Sequence, residues 1–122
     1  MQALVLFAHG SRDPVWRAPF DRIVARVREL RPDAAVSVAF LEYAAPSLPD
    51  AVADAAANGA TVVRIVPMFL GLGGHLRHDM PDIVAAARTR VPGVEVMVTP
   101  SLGESNDVLD AMAGWLASLN PQ

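Results

Sequence analysis

The sequence predicts an α/β domain built on a four-stranded parallel sheet, in the order 2-1-3-4, with helices on both faces. Three observations predict it. Short, continuous apolar runs recur, as expected for strands covered on both faces. Between them lie segments with apolar residues at helical spacing. Strand and helix alternate strictly, which argues for a parallel sheet with right-handed crossovers. The order 2-1-3-4 is common for a small domain of this kind and puts a switch point between strands 1 and 3.

The first strand covers residues 3–8 (ALVLFA). Phe20, Ile23, Val24, Val27 and Leu30 then fall on one helical face, and Pro32 lies just past the end. Residues 36–41 form the second strand. Ser47 caps the second helix, Pro49 suits its first turn, and Leu48, Val52 and Ala55 share a face. Asn58-Gly59 ends it. The third strand covers residues 61–69 (TVVRIVPMF), with Pro67 near an end because it cannot donate to the ladder.

A loop follows at Gly71-Leu72-Gly73-Gly74. The third helix is expected to start near Asp79 or Pro81 and to carry Ile83, Val84, Ala87 and Val91. Pro92-Gly93 breaks it, and residues 94–98 form the fourth strand. Val108, Leu109, Met112, Trp115, Leu116 and Leu119 give the last helix the clearest period. Trp16, Phe20 and Trp115 read as packing residues. No linker or low-complexity tract divides the chain, so residues 1–122 form a single domain.

Composition narrows the function. The 122 residues are 52% apolar and 19% charged, which excludes a disordered chain. Much of the apolar mass is 21 Ala and 16 Val, suited to thin, closely packed layers. Ten basic against 13 acidic residues give a net charge of −3, with no basic excess to neutralise a nucleic acid. All ten basic residues are Arg, so neither Schiff-base chemistry nor a P-loop lysine is available. Without Cys there are no disulfides, thiolate nucleophiles or sulfur-ligated metals. No leader pattern or membrane-length apolar run is present, and the expected compartment is the cytoplasm.

In such sheets, ligands bind beyond the carboxyl ends of the strands, near the switch point. Strand 1 runs into His9-Gly10-Ser11-Arg12-Asp13, strand 2 into Glu42-Tyr43, and strand 3 through the glycine loop into His75-Leu76-Arg77-His78-Asp79. All three histidines of the chain lie in these segments. Converging there, His9, Glu42 and His75 would make a site for a divalent transition metal. Singly, each has an ordinary role: His9 capping a turn, Glu42 pairing with an Arg, His75 solvated. Gly71, Gly73 and Gly74 let backbone approach a ligand closely or adopt positive φ. Arg12, Arg77 and His78 add positive charge at this edge, suited to an anionic ligand or to pairing with Asp13 and Asp79. A histidine phosphatase would need Arg before His9-Gly10, where Ala8 stands, and no G-x-S-x-G elbow is present.

Together, His-Gly-Ser-Arg-Asp-Pro (9–14), Phe-Leu-Glu (40–42) with Pro46-Ser47-Leu48, and Pro-Met-Phe-Leu (67–70) leading to Gly-Gly-His-Leu-Arg-His-Asp-Met-Pro (73–81) resemble the CbiX-type sirohydrochlorin chelatases. The resemblance covers nearly the whole chain, in order. It implies a chelatase-like, flavodoxin-like half unit of the short form. It implies insertion of a divalent metal into sirohydrochlorin without ATP, cobalt for cobalamin, with relatives that insert iron or nickel. The metal is a substrate, and no permanently bound cofactor is implied. The long members look like two fused copies of the four-strand unit, so a homodimer is expected, with the macrocycle between subunits.

By position, His9 and His75 match the family's metal-binding histidines and Glu42 its acidic partner, making these three the expected catalytic and metal-binding residues. Ser11, Arg12, Gly73, Gly74 and Arg77 are the expected substrate-binding residues. Met80 and His78 depart from the usual pattern. Two other readings share parts of this evidence. A non-catalytic metal or tetrapyrrole carrier would need the same ligands. A phosphate-binding regulatory module would instead carry an acidic or phosphate-binding cluster after strand 1.

Overall fold

The structure is a computed structural model and describes residues 1–120. Four strands, β1 (Gln2–Ala8), β2 (Ala35–Phe40), β3 (Val62–Pro67) and β4 (Glu95–Val98), pair in parallel in the order β2-β1-β3-β4. The helices are α1 (Ala18–Leu30), α2 (Leu48–Ala57), α3 (Gly74–Arg90) and α4 (Asn106–Ala117). Short 3-10 turns precede α1 and α4, at Pro14–Arg17 and Leu102–Glu104.

Period-two alternation gives the sheet two apolar faces. On one, Ala3, Val5, Phe7, Val63 and Ile65 pack against Leu48 and Val52 of α2 and Met80, Val84 and Ala87 of α3. On the other, Leu6, Val36, Val38 and Phe40 meet Val24 and Phe20 of α1 and Trp16. Trp16 lies 5.1 Å from Phe20 and 5.9 Å from Phe40, ring centre to ring centre. Ser47 caps α2 by accepting from the Asp50 N–H at 3.3 Å. Asn58 closes that helix, and Gly59 takes the left-handed φ of +102° that follows it.

Two expectations need correction. First, α3 begins at Gly74 rather than near Asp79 or Pro81. Leu76, Met80, Val84 and Ala87 form one buried stripe that reaches back into the first turn. Burial of that stripe holds the turns before Pro81 in helical form, although Pro81 lacks the N–H that would bond the Arg77 carbonyl. His75, Arg77, His78 and Asp79 are therefore helical residues, not loop residues. Second, Trp115 does not pack within the chain: it is 65% exposed. The period of α4 is as expected, and only Val108 of its residues is even half-buried. The β3–β4 half of the second sheet face carries Arg64, exposed, and Val66 and Met97, half-buried. No helix among the described residues is long and apolar enough to cross a membrane.

Candidate metal and macrocycle site

Backbone hydrogen bonds extend the parallel ladder past the strand ends and fix the site's frame. The Leu41 N–H donates to the Ala8 carbonyl at 2.8 Å, and the Glu42 N–H to the His9 carbonyl at 3.0 Å. Gly10 follows at φ +106°, and the Glu42 carbonyl stands where its Cβ would be. Only a glycine lets the two segments close up so far. His9 and Glu42 are thereby held side by side.

The exit from β3 is tied to the same edge. The Met68 N–H donates to the Phe7 carbonyl at 2.8 Å. Phe69 is buried next in line, its ring 6.1 Å from Phe7 and 4.6 Å from the His9 imidazole, edge to face in both cases. His9 thus has an aromatic wall on one side, and its exposed part faces solvent.

His75 lies one residue into α3, whose cap is Gly73. His9, Glu42 and His75 line one cavity of about 300 Å³, and Asp79 joins them. Leu41 and Leu76 supply apolar wall, and Gly71 and Gly73 backbone. His9, Glu42 and His75, expected together at the strand ends, thus border the same cavity. Asp79 is the carboxylate that sequence reasoning passed over as a site residue. Once α3 starts at Gly74, residues 75 and 79 are four apart on one helical face, which is why both reach the cavity. Neither Glu42 nor Asp79 forms an ion pair among the described residues. The lining groups do not close into a three-ligand cage: among the described residues no set of three His, Asp or Glu is placed to hold an ion.

The expected substrate-binding residues divide. The Ser11 hydroxyl accepts from the Asp13 N–H at 3.0 Å, and Asp13 in turn accepts from the Val15 N–H at 2.9 Å, so this segment is a self-bonded turn. The Arg12 guanidinium lies 4.6 Å from the centre of the Tyr43 ring. Around Gly73 and Gly74 an added Cβ would meet nothing within 4 Å, so packing does not require glycine there. They open the N-terminus of α3, where free N–H groups favour anions. Arg77 turns the other way. It donates to the Leu72 carbonyl at 3.0 Å and lines a neighbouring cavity of about 380 Å³ with Met80, Val84 and Arg88. His78 is exposed on α3.

Imidazoles and carboxylates are the side-chain types that ligate divalent transition metals and that exchange protons with a substrate. The CbiX family model matches residues 3–118. A sirohydrochlorin cobaltochelatase of Methanopyrus kandleri is 37% identical over 84 residues, covering 69% of this chain and 59% of that protein. A sirohydrochlorin ferrochelatase of Priestia megaterium is 30% identical over 123 residues, covering 98% of this chain and 45% of that protein. The match thus spans under two thirds of either relative's length. The crystal structure of a CbiX protein from Marinobacter aquaeolei VT8 superposes with a TM-score of 0.82 at 28% identity, over 96% of this chain and 95% of the other.

Proposed function

The chain belongs to the CbiX family, and from that membership we propose that it inserts a divalent metal ion, cobalt foremost, into sirohydrochlorin. The observation that carries this reading is the shared cavity of His9, Glu42 and His75 at the carboxyl edge of the sheet. Cobalt is favoured by the naming of the Methanopyrus kandleri relative, and iron by that of the Priestia megaterium relative.

The chemistry follows from the residues. Metal insertion must remove two protons from pyrrole N–H groups. The imidazoles of His9 and His75 can deliver the ion and take those protons. Glu42 and Asp79 offset the ion's charge beside them. The open lining suits an ion that has to leave, because a closed cage would retain it. Arg12 and the N–H groups at the start of α3 suit the carboxylates on the macrocycle's rim, and Leu41 and Leu76 suit its face.

The same proposal includes a homodimer. Leu109, Met112, Trp115 and Leu116 of α4, with Leu119 just past its end, are exposed and supply the contact surface. An anaerobic insertion assay with cobalt, iron and nickel at matched free concentrations tests the function. Catalytic turnover of sirohydrochlorin is the expected result. Stoichiometric metal or macrocycle binding without turnover would make the protein a carrier.

A further inference from the structure

Tyr43 is the one non-glycine residue among the described residues with a left-handed backbone, at φ +65°. A side chain makes that conformation unfavourable, and glycine would adopt it freely. Such strain persists where surroundings impose it, and it gathers at functional sites. Tyr43 is 58% exposed, so core packing does not account for an aromatic here. Its contact is the Arg12 guanidinium, 4.6 Å from the ring centre.

The two residues sit on the two loops that carry the site. Arg12 is three residues after His9, and Tyr43 directly follows Glu42. Resting on the chelatase reading above, we propose that Tyr43 is a positioning residue: its ring is a shelf that holds the Arg12 guanidinium beside the His9–Glu42 cavity, where a carboxylate of the macrocycle docks. An aromatic partner suits this task better than an acidic one. A carboxylate would fix the guanidinium but neutralise it. A ring face fixes its plane and leaves its charge and N–H edge free for a bidentate carboxylate. Arg12 has no acidic partner among the described residues, as this role requires.

The test compares Tyr43→Gly, Tyr43→Phe, Arg12→Ala and the Tyr43→Gly/Arg12→Ala double variant by steady-state metal insertion and thermal melting. Tyr43→Gly should raise KM for sirohydrochlorin about two- to fivefold, the worth of an exposed cation–π contact, with kcat unchanged. It should leave the melting temperature unchanged or higher, because the left-handed strain is relieved. Tyr43→Phe keeps the ring and should keep the wild-type KM. The double variant should have the KM of Arg12→Ala alone, since Tyr43 acts through Arg12. A lowered melting temperature with unchanged KM in Tyr43→Gly would show a structural role and overturn the inference. A Tyr43→Phe variant as impaired as Tyr43→Gly, or additive effects in the double variant, would also overturn it. These outcomes leave the chelatase reading intact, whereas absence of turnover by the wild-type protein overturns both.

Discussion

Gly10 and Glu42 interlock: the carbonyl oxygen of Glu42 occupies the space that a Cβ on Gly10 would fill. The neighbouring N–H of Glu42 donates to His9 at 3.0 Å. Two loops far apart in sequence thus share one backbone frame, and the site's imidazole and carboxylate inherit their spacing from it.

Gly10→Ala should therefore damage both fold and function. The new methyl meets backbone, which cannot swing aside, and the φ of +106° is strained for alanine. A loss of about 2 kcal/mol or more is expected, at the upper end of single substitutions. Gly71→Ala is the control, since its Cβ would meet nothing within 4 Å. Chemical denaturation of both variants checks the contrast. Equal stabilities would show that the Gly10–Glu42 approach relaxes easily.

Much of this arrangement was legible in the sequence, for a physical reason. Strands covered on both faces leave continuous apolar runs, so the ends of β1, β2 and β3 could be located, and with them His9, Glu42 and the approach to His75. The start of α3 was not legible. Pro81 reads as a helix beginning, and the buried Leu76 and Met80 are interleaved with polar residues that look like loop. Asp79 was missed with it, because its partnership with His75 exists only once both lie on a helix. Tyr43 was hidden differently: nothing in residue identity announces a left-handed φ. The period of α4 was plain, but periodicity says that a helix has an apolar face and not what covers that face.

That uncovered face makes the assembly testable. Trp115→Asp and Leu116→Asp put charge into an exposed apolar stripe, where neither residue supports the chain's own core. Light scattering should give the wild type twice the 13.0 kDa mass of the chain. Both variants should be monomers with unchanged circular dichroism. A wild-type protein that stays monomeric at micromolar concentration and turns over fully would refute the dimer.

Arg90 and Asp50 tie α3 to α2 through a 2.9 Å contact. The hydrogen bond from Arg90 holds the Asp50 carboxyl below its ordinary 3.8. A folded-state value below the unfolded one adds stability above 3.8 and loses it as pH falls through the lowered value. The pair is exposed, so the effect should be small and screened by salt. Thermal melts of wild type and Asp50→Asn should differ slightly at neutral pH and converge in acid. A gap that widens in acid would contradict this assignment.

The central claim is that His9 and His75 are the groups that deliver the metal and take the pyrrole protons. The most direct measurement is anaerobic cobalt insertion by His9→Ala and His75→Ala, with circular dichroism as the folding control. His9 is exposed on a loop and His75 is exposed in the first turn of α3, so neither truncation opens a core cavity. Both variants should fold, and each should lose about 10²–10⁴ in rate, the usual cost of removing a proton acceptor. If both folded variants insert cobalt at near wild-type rates, the cavity between these histidines is not where the metal enters the macrocycle.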